Sequence, residues 1–439
     1  MGMSRPGEST ERTRGHDPWA APRPGAADAE RSADQQVGSG WISIRSARRV
    51  VLECSRPLSR SERIPVTEAT GRRLAEVVRL ASDLPPFDRV TMDGYAVRAA
   101  DVRDAPVVLP VVGEVAAGAR GDEPLEAGQA QAIMTGAPLP PGADAVVQVE
   151  WTRRLADGVQ VERSVVAGQN VVPQGQSKRA GDRLAEVGDV VGPMGLSLLV
   201  SSGAGEVLVR ARPTVAVLTS GDELLPPGTP LERGQIHESN GPALAELFRS
   251  CGAEVRALGV ARDTREALTE MVEQALECDV VVLTGGSSVG RYDFSAEVVA
   301  SFGTTRHFDR LSVKPGKPTI FDTRGASLVF CLPGNPVAAL MTGRLLVCAA
   351  VRRLAGDAVA DWSEQALPLA TAIQRHPKRD LVIPVQLRGG ALQFDGWHGS
   401  GDLACMARAD AFAYLPMGEG EAPSGTLADV FRLPGSPAW

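Results

Sequence analysis

Three short stretches of this 439-residue chain combine glycine, hydroxyl and charged residues in ways that can hold an anion. Thr219-Ser220-Gly221-Asp222-Glu223 sets two carboxylates and two hydroxyls around a glycine. In Thr284-Gly285-Gly286-Ser287-Ser288-Val289-Gly290 the glycines let backbone N–H groups converge into an anion-binding nest. Ser287 and Ser288 add donors to it, and Asp293 follows closely. Leu332-Pro333-Gly334-Asn335-Pro336 leads from an apolar run into a helix, with Asn335 as N-cap and Pro336 as first helical residue. The positive end of that helix would face the same crevice. Between the second and third stretches lie Arg310, Lys314 and Lys317. If 310–314 is extended, its even-numbered side chains share one face and focus positive charge for a phosphate or another oxyanion.

Each stretch also has a purely architectural reading. A glycine-rich turn after a strand is often only a tight connection. Asp263, in Asp263-x-x-Glu266, fits the N-cap of a capping box. The lysine segment fits an edge strand blunted by Lys and Pro. Far upstream, Asp93-Gly94 in LPPFDRVTMDGYAV (84–97) and Thr135-Gly136 in AIMTGAP (132–138) read as turns on composition alone. What favours function is that the three glycine turns fall in one alternating strand–helix segment, because ligands of open α/β sheets sit at the carboxyl ends of the strands.

That segment runs from Thr214 to about Gly356. Thr214–Thr219, Glu254–Val260, Asp279–Thr284 and Ser327–Leu332 are apolar or β-branched runs, separated by a helix capped at Asn240, a helix after Asp263 and the helix at Pro336. Such alternation predicts a parallel sheet covered on both faces. Upstream, Ile44, Ala47, Val50, Val51 and Cys54 predict an amphipathic helix, and a second helix is expected over Thr70–Arg79. Short β-branched runs broken by Gly and Pro fill 106–173, the texture of a small β domain. Residues 181–209 are mixed and are expected to pack back on the first helix. After Asp361 the pattern is β again, with Gly389-Gly390 as a hairpin turn.

Composition narrows the functional classes. The net charge is −7 and aromatic residues make up 4%, which argues against a general nucleic-acid binder, a membrane-surface binder or a base-stacking platform. The six cysteines (Cys54, Cys251, Cys278, Cys331, Cys348 and Cys405) show neither Cys-x-x-Cys nor a nearby His, so mostly buried thiols in a reducing compartment are expected. No stretch reads as a membrane span: the candidate Gly325–Gly343 is broken by Pro333 and Pro336. Residues 1–36 hold no Leu, Ile, Val or Phe and no signal-peptide core, which predicts a disordered tail and a cytoplasmic protein.

Six motifs occur in order along the chain: MDGYAV (92–97), IMTGAPLPPGADAVV (133–147), TSGDEL (219–224), GGSSVGRYD (285–293), VKPGKP (313–318) and LPGNPVAAL (332–340). Together with GSGDL (399–403) and ARADAFAYLP (407–416), they closely resemble the MoeA family of molybdopterin molybdenumtransferases, to which the gephyrin E domain is related. With the disordered tail at 1–40 outside it, the resemblance implies a multidomain α/β protein: a discontinuous α+β domain at 41–85 and 177–212, an inserted β domain at 86–176, a molybdopterin-binding parallel-sheet α/β domain at 213–358 and a C-terminal β domain at 359–439. It implies an elongated homodimer whose cleft lies between the α/β domain of one subunit and the first two domains of the other. The reaction it implies takes adenylylated molybdopterin and molybdate, uses Mg2+ (magnesium), releases AMP and inserts molybdenum at the dithiolene.

Carried over motif by motif, Asp93, Thr135, Glu223 and Asp293 are the polar catalytic groups, with Asp222, Glu223 and Asp293 on the metal side. Arg310 and Lys314 bind the oxyanion. Asp263, Lys317, Gly285, Gly286, Ser287, Ser288, Gly290 and Pro333–Pro336 hold the pterin and its phosphate. The chain departs from common family patterns at Arg89-Val90-Thr91, at Gln176-Ser177 and at Arg310, where lysine is usual. Adenylyltransferase or apo-molybdoenzyme partners fit this role; nucleic acid and membrane do not. Two rival readings are an enzyme like the molybdopterin adenylyltransferase, whose fold resembles the α/β domain, and a non-catalytic gephyrin-like scaffold.

Overall fold

The computed structural model describes residues 41–285, 294–359, 361–363 and 365–435. The expectation for the tail at 1–40 lies outside them. The chain divides into two compact units: Pro57–Ala211, and the segments through Arg56 and from Arg212 onward.

In the Pro57–Ala211 unit, the two ends of the segment close on each other. Ser61–Pro65 pairs antiparallel with Glu206–Arg210, and Val78–Arg79 pairs with Arg183–Ala185. Ile64, Val66, Leu74, Leu199, Val207 and Val209 form the core beneath them. The helix expected over Thr70–Arg79 does not form. Leu74 and Val78 are spaced like a helical face, but Gly71 adopts φ +77° and Leu74 bridges to Val209 instead. The middle of this unit is mostly β, with short 3-10 turns at Ala99–Val102 and Val149–Trp151. Gly94–Val97 lies between Ala130–Ile133 and Ala145–Gln148 in a four-stranded sheet, and Tyr95, Val97, Val147, Val159 and Val161 pack below it. Gly94 is required there, since a Cβ would sit 1.9 Å from the Val147 carbonyl oxygen.

The other unit is built on a six-stranded sheet. Its elements are β1 (Thr214–Ser220), α1 (Asn240–Ser250), β2 (Glu254–Ala261), α2 (Arg265–Ala275), β3 (Val280–Thr284), α3 (Phe294–Ser301), β4 (Thr305–Phe308), β5 (Ile320–Arg324), β6 (Ser327–Leu332) and α4 (Pro336–Thr342). The strand order is β2-β1-β3-β6-β5-β4. The four expected strands run parallel, while β5 and β4 add an antiparallel edge. Ala216, Leu218, Val281, Leu283 and Val329 pack on one face with Leu268 and Val272 of α2 and Val298 of α3. The alternate residues Val215, Val217, Val280, Val282, Leu328 and Phe330 are buried as well, so the central strands are apolar on both sides.

Helix Ile44–Cys54 forms as expected, with Ser43 accepting a bond from the Ser46 N–H. It lies on helix Cys348–Leu354 and the π-turn Gly343–Val347, where buried Arg48 donates to the carbonyls of Leu345 and Asp361. A side chain that satisfies stray carbonyls of an irregular turn anchors this helix more specifically than its apolar stripe alone.

The C-terminal region forms a second sheet in the order Val313–Lys314, Asp380–Arg388, Ala411–Leu415, Leu427–Arg432, Ala366–Pro368. The Gly389-Gly390 hairpin forms with both glycines at positive φ, +56° and +76°. Its first strand is borrowed, because Val313–Lys314 comes from the connection between β4 and β5 and pairs in parallel with Asp380–Leu381. All six cysteines are free thiols; Cys278, Cys331 and Cys348 are buried, while Cys54, Cys251 and Cys405 are half-exposed. No helix among the described residues is long and apolar enough to cross a membrane.

Candidate active site

The carboxyl ends of β1, β3 and β6 open on one cavity of about 840 Å³. The turns around it are locked to each other. Gly285 takes φ +97°, and a Cβ there would lie 2.1 Å from the Ser220 carbonyl oxygen, so only glycine lets the end of β3 approach the end of β1 this closely. Thr284 Oγ1 donates to the Pro333 carbonyl (2.9 Å), which ties β3 to the turn after β6. Asn240 Nδ2 donates to the Gly334 carbonyl (2.7 Å) and to Thr284 Oγ1 (3.2 Å).

Asn240 therefore does different work from the N-cap expected of it. It is the first residue of α1, and the Gly241 N–H is satisfied by Glu238 Oε1 at 2.7 Å, which frees the amide to span the two turns. Asn335 precedes α4 but makes no side-chain cap bond. The Val337 N–H, one of the donors expected to face the crevice, donates instead to the Ser400 carbonyl (3.0 Å).

Acidic groups converge at the ends of β1 and β2. Glu223 and Asp263 line the cavity, and Asp263 Oδ1 accepts from the Ser220 hydroxyl. The N-cap of α2 is Thr264, whose hydroxyl accepts from the Ala267 N–H, so Asp263 is not spent on capping. Asp222 stands off the cavity wall and accepts the Asp263 N–H at 3.2 Å. These donors are all carboxylate oxygens, the type preferred by a hard divalent cation. Among the described residues no three His, Cys, Asp or Glu side chains form a metal cage.

The opposite wall is basic. Lys314 and Lys317 both line the cavity. Arg310 does not, because 310–314 fails to alternate as expected: Ser312 is buried, Leu311 bridges to Ile42, and extended pairing begins only at Val313. Arg379 takes its place, brought to the same wall where its neighbour Asp380 pairs with Val313. Burial holds the nearby His376 ring below the usual imidazole range, reinforced by the positive charges of Arg379, Lys314 and Lys378.

Sequence reasoning missed Arg379, Asn240, Glu238 and Trp397 as cavity residues. The run His376-Pro377-Lys378-Arg379 was the available signal for the first, a basic cluster in an acidic chain. Gly286, Ser287, Ser288, Gly290 and Asp293 lie outside the described residues.

Asp93 and Thr135 belong to the Pro57–Ala211 unit. There they form a pair: Asp93 Oδ1 accepts from the Thr135 N–H (2.7 Å) and from its hydroxyl (2.8 Å). Those two donors hold the exposed carboxyl below the usual aspartate range.

Comparison with known proteins gives the family. Residues 42–203 match the family model for the MoeA N-terminal region (domain I and II), and 216–353 match the model for a probable molybdopterin binding domain. A molybdopterin molybdenumtransferase of a Nostoc species is 36% identical over 85% of this chain and 89% of its own length. The chain belongs to the MoeA family. Another relative, molybdopterin molybdenumtransferase 2 of Mycobacterium tuberculosis, is 32% identical over 89% of this chain and 99% of its own. A crystal structure of the molybdopterin biosynthesis MoeA protein of Pyrococcus horikoshii superposes with a TM-score of 0.77 at 33% identity, covering 91% of this chain and all of that one.

Proposed function

We propose that this protein is a molybdopterin molybdenumtransferase, an enzyme of molybdenum-cofactor biosynthesis that inserts molybdenum from molybdate into the dithiolene of molybdopterin. The observation that carries the proposal is the cavity in which the glycine turns, three carboxylates (Glu223, Glu238 and Asp263) and a basic wall meet. Both reactants are anionic, and a cavity walled by Lys314, Lys317 and Arg379 concentrates them. The turn after β6 offers backbone polar groups for the pterin and its phosphate, and it is braced by Asn240 and Thr284.

The substrate form is adenylylated molybdopterin, whose phosphoanhydride is cleaved with release of AMP. Glu223 and Asp263 fit Mg2+ in the mode where one or two carboxylates and substrate phosphates share the ion. The ion supplies neutralisation of phosphate charge when bound; the chain's own part is to present those carboxylates opposite the lysines. We further propose a cytoplasmic homodimer in which Asp93 and Thr135 are supplied to the reaction by the second copy, a reading that rests on the resemblance of MDGYAV and IMTGAP to family motifs.

The test supplies purified protein with adenylylated molybdopterin, molybdate and Mg2+, and measures AMP together with active cofactor. Molybdate-dependent formation of both is expected. Adenylylation of free molybdopterin from ATP, or no turnover at all, would replace this reading by one of its two rivals. Lys314→Ala is expected to abolish cofactor formation while the circular-dichroism melt stays close to wild type, because Lys314 is exposed on a short edge strand.

A further inference from the structure

The basic wall is tied to the first described residues of the chain. Ile42 bridges to Leu311 in parallel: its N–H donates to the Arg310 carbonyl (3.2 Å), and its carbonyl accepts the Ser312 N–H (2.8 Å). The Leu311 N–H in turn donates to the Lys317 carbonyl at 2.9 Å, and the Thr319 N–H donates to the same oxygen at 3.0 Å. The backbone of Lys317 is thereby pinned beside the 41–43 segment. The side chain is pinned by the neighbouring residue, because the Lys317 ammonium lies over the Trp41 ring, 4.8 Å from its centroid. No carboxylate among the described residues forms an ion pair with Lys317.

A lysine held by an indole face keeps its full charge and its hydrogen-bond donors, while much of its rotational freedom is removed before any ligand arrives. A carboxylate would fix the ammonium just as well but cancel the field that an oxyanion seeks. From this arrangement we infer that Trp41 is a positioning residue: its ring holds the Lys317 ammonium at the cavity wall, ready for the tetrahedral oxyanion substrate. The inference rests on the reading of Lys317 as an oxyanion-binding group, and no feature of the family motifs quoted above includes Trp41.

The experiment measures molybdate binding by calorimetry, and half-saturating concentrations of molybdate and of adenylylated molybdopterin in turnover, all on the full chain. Trp41→Ala is expected to weaken molybdate binding about three- to tenfold. Trp41→Phe should stay within about twofold of wild type, because a ring face is retained. Trp41→Leu keeps apolar bulk without a ring and should behave like Trp41→Ala, which separates the ring's electrostatic role from simple packing. In a Lys317→Ala background, Trp41→Ala should have no added effect on molybdate.

If Lys317→Ala binds molybdate like wild type, the reading of that lysine fails and the inference falls with it. If Lys317→Ala weakens binding but Trp41→Leu does not, the inference alone is overturned. A Trp41→Leu loss that persists undiminished in the Lys317→Ala background would likewise overturn it, since that is the signature of a merely structural residue.

Discussion

The turns after β3 and β6 look alike as strings of residues, yet they use glycine for opposite reasons. At Gly285 the absence of a side chain lets two strand ends meet, since a methyl would collide with the Ser220 carbonyl at 2.1 Å and φ is +97°. At Gly334 a methyl would meet, among the described residues, only Gly285, with Cα at 3.5 Å, an ordinary contact. The first glycine serves the protein's own packing; the second leaves room on the cavity side. One wall of a binding site can thus be built from a position that tolerates nothing and a position beside it that tolerates much.

Substitution separates the two. Gly285→Ala should be the most damaging, with a loss of about 2–4 kcal/mol in denaturant unfolding from the strained φ and the backbone collision, and no measurable cofactor formation. A melt and turnover close to wild type would mean that β1 and β3 do not approach as described. Asn240→Ala removes the donor shared by the two turns and leaves the Gly334 carbonyl without it, at a cost of about 1–3 kcal/mol. Turnover should fall with it, because the turns lose their common brace. Gly334→Ala should change unfolding by no more than about 0.5 kcal/mol while raising the half-saturating concentration of adenylylated molybdopterin. If it unfolds the protein instead, the contrast between the two glycines collapses.

The smallest effect concerns a turn held by side-chain chemistry rather than by glycine. Thr135→Val deletes one of the two donors that hold the Asp93 carboxyl low, so its titration followed by NMR should move up while remaining below the ordinary aspartate range. The sign follows from linkage. A carboxyl lowered by folding contributes stability above its unfolded value and loses that contribution as pH falls through the folded one. Wild type should therefore hold this contribution to lower pH than the variant.

The parts legible in the sequence were those dictated by local pattern. Buried parallel strands announce themselves as unbroken Val and Leu runs, and Gly389-Gly390 announces a hairpin, so both were readable. The edge strands β4 and β5 were not, because Thr305–Phe308 and Ile320–Arg324 carry charged and polar residues that mimic loop. Thr70–Arg79 imitated a helix through one pair of apolar residues four apart, and tertiary pairing of Leu74 overruled it. In the site, Glu223, Asp263, Lys314 and Lys317 could be placed from their own turns. Arg379 and Asn240 could not, since the first is placed by its neighbour Asp380 pairing with Val313 and the second by its bond to Gly334, both distant in the chain.

The borrowed strand at Val313–Lys314 makes the cavity's basic wall a tenant of the C-terminal sheet. A mutation that frays Asp380–Arg388 would slacken the basic wall by the same hydrogen bonds that now hold Val313–Lys314 taut. Drift in that sheet is therefore felt first as a loss of grip on negative charge, well before the α/β scaffold notices.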